Sequence, residues 1–444
     1  MSGPQAAMVS ILALTLVLQA FAPGLRVLVV CLGAGLSCLA ATVMGVADTR
    51  AILAGVPWDV LVILVTLGLL SQLFAESRLF DRLAVAATRA SRAEPRRIVV
   101  VFAVGMYLAS GVVNNLTALV LVLPVLLVLL RLVGHDQRYL SWTLGVVLVA
   151  CNLGGAATPI GDFPAILLLG RGNMSFGSYL VQAGPVTAAA LAVLLLVVMR
   201  AVRPARGLAG DPLAARLSRA VMEALHRRIT VRRRLFAPAA IALAGMIVAW
   251  LGVPASSGIS PDLVCWLGAG AALVACGRAG EGLVRRGVDG EAVLFLLALF
   301  VMVGAVARTG LFESAAAALL ALPIGPGAQL VVFLVSAALL TGLFSAGPSM
   351  AALLEVAEAL AGQLPADAVY VGLAMSVCAG SSLFLTAATA GPLAQALTER
   401  AGLRGADGEP LRFGFFDFLP VGVLSFAVIL AAGLAYAAWA LATA

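Results

Sequence analysis

Lysine is absent from this chain of 444 residues, histidine occurs twice, and charged residues of every kind make up 11% of it. Soluble domains place charge on about a quarter of their residues, and a water-facing surface for a chain this long cannot be covered with so little. A soluble enzyme or binding module is thereby excluded. The six cysteines form no Cys-x-x-Cys pair, which argues against a zinc or redox site and leaves them as small apolar fillers. No His-Glu-x-x-His, Gly-x-Ser-x-Gly or Walker-type glycine loop occurs, so hydrolytic chemistry and nucleotide-driven pumping find no residues to carry them. What is present is apolar: 62% of residues are hydrophobic and the mean hydropathy is +1.10. Lipid is the solvent for most of this chain.

A membrane window marks spans near 8–22, 25–47, 58–76, 139–170, 177–200, 235–253, 260–276, 291–309, 367–398 and 415–442. The first has no basic residue ahead of it and is expected to stay as a helix rather than be cleaved as a signal. Two further apolar segments, 98–130 and 328–360, are 33 residues long, whereas one helix crosses the hydrocarbon core in about 20. Each is interrupted midway, at Gly111-Val-Val-Asn114-Asn115-Leu-Thr117 and at Gly342-Leu-Phe-Ser345-Ala-Gly347-Pro348-Ser349. The expectation is a re-entrant hairpin of two half-length helices in each place.

Arginine placement bears on this choice. All 28 basic residues are arginine, and the net charge of +7 suggests no nucleic acid because they collect in short loops. With both segments as hairpins and the N- and C-termini outside, 25 arginines fall inside and only Arg50, Arg171 and Arg308 fall outside, as the positive-inside rule asks. Two full spans in place of a hairpin give the same sidedness; a single long helix does not. The expected address is a bacterial-type inner membrane.

The fold expected is an all-α polytopic membrane protein of two inverted repeats, each with five spans and one re-entrant hairpin, and with broken helices at the membrane centre. Residues 1–200 form the first repeat (hairpin 98–130, broken helix 139–170). Residues 201–234 form a basic cytoplasmic linker, and 235–444 the second repeat (hairpin 328–360, broken helix 367–398). An odd number of full spans per half turns the second copy upside down. Local sequence agrees: Trp58-Asp-Val-Leu-Val-Ile-Leu with Glu76-Ser-Arg-Leu-Phe80 resembles Glu291-Ala-Val-Leu-Phe-Leu-Leu with Arg308-Thr-Gly-Leu-Phe312.

Irregular backbone at membrane depth is tolerated only where it lines a polar site, so the chemistry is expected at the two hairpin tips and the two helix breaks. The breaks are Cys151-Asn152-Leu-Gly154-Gly155-Ala-Ala-Thr158-Pro159-Ile-Gly161-Asp162-Phe-Pro164 and Cys378-Ala-Gly380-Ser381-Ser382-Leu-Phe-Leu-Thr386-Ala-Ala-Thr389-Ala-Gly391-Pro392. Glycines let a helix unwind and prolines stop it rewinding, which frees carbonyl, Asn, Ser and Thr oxygens for a hard cation. Half-helix N-termini suit an anion instead. The candidate ion-binding residues are Asn114, Asn115, Thr117, Asn152, Gly154, Gly155, Thr158, Asp162, Ser345, Ser349, Ser381, Ser382 and Thr386. Close packing through small residues is the alternative account of these segments.

Val113-Asn114-Asn115-Leu-Thr117 followed by Leu123-Pro124 resembles the hairpin tip, and Asn152-Leu-Gly-Gly-Ala-Ala-Thr-Pro-Ile-Gly-Asp162-Phe-Pro the signature, of an ion transporter superfamily. That superfamily includes NhaD-type sodium/proton antiporters, the melanosomal P protein, arsenite permeases and citrate or dicarboxylate carriers. The resemblance covers nearly the whole chain. It implies a scaffold domain, a mobile transport domain holding both hairpins, alternating access, and a homodimer. Two departures stand out: Asn114 occupies the place of an acid, and Ser345-Ala-Gly-Pro-Ser349 lacks the Asp-Asn pair of the second tip.

Asp162 is the clearest ionisable group left at the centre, as coupling carboxylate and proton site or as the cap of the half-helix after it. Glu355 is a second candidate proton site, while Glu358 is expected to face water. His135 and His226 are expected in solvated loops. The favoured function is secondary exchange of a monovalent cation such as sodium for protons. A sodium- or proton-coupled carrier of citrate, dicarboxylate or arsenite is the alternative, and a related transporter of a melanosome- or magnetosome-like vesicle is a third. No cofactor is expected beyond a sodium ion or proton as coupling ion, no metal beyond a transported sodium ion, and no partners beyond lipid, the small ion carried and a second copy.

Overall fold

In lipid every backbone N–H and C=O must be paired within the protein, and a helix pairs them within one apolar run of about 20 residues. The computed structural model describes residues 3–21, 25–92, 94–133, 136–171, 174–206, 220, 230–252, 258–344, 346–388, 390–405 and 408–443. Among them the fold is helical without a strand, apart from an isolated bridge between Arg404 and Pro410. Ser345, Thr389, His135, His226 and most of the linker expected at 201–234 lie outside the described residues.

The first half holds α1 (Gly3–Phe21), α2 (Arg26–Val43), α3 (Thr49–Ala54), α4 (Trp58–Glu76), α5 (Leu79–Ser91), α6 (Pro95–Ser110), α7 (Asn115–Val133), α8 (Gln137–Ala157), α9 (Phe163–Gly170) and α10 (Phe176–Val197). The second holds α11 (Arg233–Gly252), α12 (Pro261–Ala275), α13 (Arg278–Gly287), α14 (Gly290–Ala307), α15 (Leu311–Leu320), α16 (Pro326–Phe344), α17 (Ala346–Ala361), α18 (Ala366–Ser381), α19 (Gly391–Ala401) and α20 (Phe415–Thr443). Among the described residues seven helices are long and apolar enough to cross a membrane: α4, α8, α10, α11, α14, α16 and α20. The expected spans at 8–22, 25–47 and 260–276 are the shorter apolar helices α1, α2 and α12.

Both long apolar segments are helix pairs, α6 with α7 and α16 with α17, and each broken span is two helices, α8 with α9 and α18 with α19. The short helices α3, α5, α13 and α15 are additions to the expected plan. Element by element, α11–α20 follow the order of α1–α10. Packing follows the same correspondence: α2 lies on α14 and α12 on α4, α6 on α8 and α16 on α18, α9 on α17 and α19 on α7. The core is built on α8 and α18, whose described side chains are buried nearly all round, the mark of a helix enclosed by other helices. Both end at the breaks, so the polar interruptions sit in the most enclosed part of the molecule.

Candidate functional site

Thr158 precedes Pro159, and proline bars the helical region to the residue before it. Thr158 is accordingly extended, at φ −134° and ψ 149°, and α8 stops there. Its hydroxyl donates to the Gly111 carbonyl at 2.7 Å, which fastens the break to the turn between α6 and α7. The chain restarts as α9 from Asp162, also extended, at φ −142°, with a proline in the first turn, where its missing N–H and fixed φ suit a helix start. Asp162 Oδ1 accepts from the Phe163 N–H at 2.9 Å. The same acid therefore caps a half-helix in the middle of the fold and faces open space.

Asn115, at the start of α7, is buried to 1% exposure, and its Oδ1 accepts a hydrogen bond from the Ser110 hydroxyl. Its Nδ2 is buried, and its side chain interacts with the Asp162 carboxyl group. This amide, Gly155 and Asp162 are in contact: a Cβ on Gly155 would stand 2.8 Å from Asn115 Nδ2 and 2.9 Å from Asp162 Cβ. A Cβ on Gly154 would run into the Tyr107 carbonyl. The two glycines thus serve close approach of break and hairpin tip. Asn114, in front of them, accepts from the Leu116 N–H at 2.9 Å and caps α7.

Asn152 joins the two breaks. Its Nδ2 donates to Ser382 Oγ at 3.1 Å and to the Ser381 carbonyl at 3.4 Å. Asn152, Ser381 and Asp162 line an enclosed space of about 10 Å³ with Tyr179 and Cys378, roughly the room one water molecule occupies.

On its other side Asp162 faces a far larger cavity, of about 490 Å³, between α4, α7, α14 and the starts of α9 and α17. Asn114 and Thr117 line it beside Asp162. At the end where α4 finishes and α14 begins, Gln72, Asp289 and Glu291 line it; Asp289 and Glu291 are exposed there. Asp289 caps α14 by accepting from the Ala292 N–H at 3.0 Å. The charged residues lining this cavity are all acidic: Asp162, Asp289 and Glu291.

The sequence-derived candidates divide accordingly. Asn114 and Thr117 line the large cavity with Asp162, and Asn152 and Ser381 line the small one with it, whereas Asn115, Gly154, Gly155, Thr158 and Ser382 line neither and belong to the surrounding break and tip. Ser349 is buried with its hydroxyl unpartnered and lines neither, Thr386 is exposed and lines neither, and Ser345 lies outside the described residues. Glu355 is not at the cavity; Arg171 Nη1 pairs with it at 2.7 Å and with Glu358 at 3.5 Å, so Glu358 too is an ion-pair partner and not a residue that faces water alone. Gln72, Asp289 and Glu291 were not among the candidates. The cap preceding an apolar run is readable at Asp289, but that it opens onto Asp162 is a tertiary fact.

The family model described as CitMHS, citrate transporter, matches residues 13–259 and 255–444. Rv2684 of Mycobacterium tuberculosis, an uncharacterized transporter, is 28% identical over 390 residues, 86% of this chain and 86% of its own. The magnetosome protein MamN of Paramagnetospirillum magneticum is 28% identical over 421 residues, covering 93% of both chains. The fold is shared with the solved structure of MtrF from Neisseria gonorrhoeae at a TM-score of 0.59, with 13% identity and coverage of 99% of this chain and 95% of that one.

Proposed function

This chain belongs to the citrate transporter family, CitMHS, of membrane transporters, and from that premise we propose that it exchanges a monovalent cation such as sodium for protons, with Asp162 as the carboxylate the two ions share. One observation carries this reading: the charge lining the 490 Å³ cavity is entirely negative, two carboxylates at the mouth and one at the floor. A funnel of one sign concentrates the opposite ion and speeds its arrival. A carboxylate at membrane depth is expensive to keep and marks an ion path by default. Beside it Asn114, Asn115, Thr117 and Asn152 offer neutral oxygens of the kind a hard cation takes.

The mouth lies beside α13, whose arginines Arg278, Arg285 and Arg286 belong to the basic side of the chain. By the positive-inside rule that side is cytoplasmic, and the conformation is then inward-open. The matched order of α1–α10 and α11–α20 supports an inverted-repeat plan, in which alternating access closes this mouth and opens the opposite one.

A second reading, carriage of an anion such as citrate, draws on two things: the family description, and the N-termini of α7 and α17, which reach the cavity with no acid in their first turns. Such ends favour negative charge. Proteoliposomes with a pH-sensitive dye inside distinguish the two. Sodium or lithium is expected to evoke proton movement that Asp162→Asn abolishes. Proton or sodium movement evoked only by citrate, succinate or arsenite would overturn cation exchange and establish the anion carrier.

A further inference from the structure

Two half-helices begin at the cavity floor and run away from it side by side. One is α9, capped by Asp162; the other is α17, which starts at Ala346. They pack on each other, and at the cavity end a Cβ on Gly347 would touch the Phe163 ring at 3.7 Å. Arg171 follows Asp162 by nine residues and Glu355 follows Ala346 by nine. At 1.5 Å per residue both reach about 14 Å from the floor, and there they meet: Arg171 Nη1 stands 2.7 Å from Glu355 and 3.5 Å from Glu358.

Arg171 is the C-cap of α9, and its Nε is buried without a partner. Asp59, at the start of α4, is a further acid that interacts electrostatically with Arg171. Phe163 to Leu169 are all buried, so packing holds most of α9, and its two ends are tied as well. One end is fixed by the break at Thr158. The other is fixed by this ion pair.

We propose that Arg171 is a positioning residue: through Glu355 and Glu358 it pins α9 to α17, so that Asp162 and the tip of the second hairpin move as one body, and it keeps the floor of the cavity shut toward the opposite end. The pin lines neither space beside Asp162 and acts on them through the two rods. The proposal rests on the reading of Asp162 above only for its transport consequence.

The test places a thiol at the tip with Gly347→Cys, a substitution that meets only ordinary van der Waals neighbours, in a background whose native cysteines are replaced by alanine. A membrane-impermeant maleimide is applied to each face in sealed vesicles of both orientations. With Arg171, Glu355 and Glu358 intact, labelling is expected from the cavity side. In Glu355→Gln/Glu358→Gln, labelling from the opposite face is expected to rise about fivefold or more, together with proton leak in the absence of a transported ion. The charge exchange Arg171→Glu/Glu355→Arg is expected to restore protection, which a loss of general stability would not predict. Labelling of the folded double variant that stays at the starting level on the opposite face overturns the proposal. Should the double variant not survive extraction, Glu355→Gln alone, which leaves only the pair at 3.5 Å, is read by the same two outcomes. Because labelling does not depend on which ion is carried, a protein without cation–proton exchange would defeat the functional reading and leave the pin standing.

Discussion

Thr158 and Asn152 look alike in the sequence as polar residues in an apolar break, yet the fold uses them differently. Thr158 gives its hydroxyl to the Gly111 carbonyl, while Asn152 bridges the break of the first half to that of the second through Ser381 and Ser382. Thr158→Val keeps the shape and leaves that carbonyl without its donor, a loss of about 1–3 kcal/mol. A lower melting temperature in detergent is expected, with Thr158→Ser close to wild type. Asp162 was legible because an acid between glycine and proline in an apolar run has few bland explanations. Arg171 was not, since its partners lie on a helix of the other half and nothing near it in the chain announces them.

At the scale of elements the long apolar helices were legible because the hydrocarbon core fixes their length, and the breaks because glycine and proline mark them. The helices α3, α5, α13 and α15, of 6 to 13 residues, were not, because a search for apolar runs of about 20 residues passes over short helices. The junctions before α5 and α15 nevertheless correspond closely: Arg78 has φ 61° and Gly310 has φ 69°, both left-handed. No atom lies within 4 Å of where a Cβ on Gly310 would stand, so Gly310→Ala isolates the backbone strain. It is expected to cost about 1 kcal/mol, read as a lower thermal midpoint in detergent, while Arg78→Gly removes the same strain from the first half.

Across the whole molecule the arginine count and the cavity point the same way. The arginines separate the two faces in sequence, and the cavity opens beside Arg278, Arg285 and Arg286 on the richer face. Asp289→Cys and Glu291→Cys are therefore expected to react with an impermeant thiol reagent in inverted vesicles and to stay unlabelled in intact cells; labelling in cells would reverse the orientation. The cavity itself was not readable from sequence. It is enclosed by α4, α7, α14 and the starts of α9 and α17, a matter of packing between helices far apart in the chain.

On the proposed mechanism a cation and a proton compete for Asp162. This competition is tested most directly by adding sodium or lithium to the purified protein in weakly buffered detergent and following pH with a dye. About one proton released per chain, with no release from Asp162→Asn, is the expected result, because a carboxylate must be deprotonated to take a hard cation. Absence of release from the wild type, or release that persists undiminished in Asp162→Asn, would contradict it.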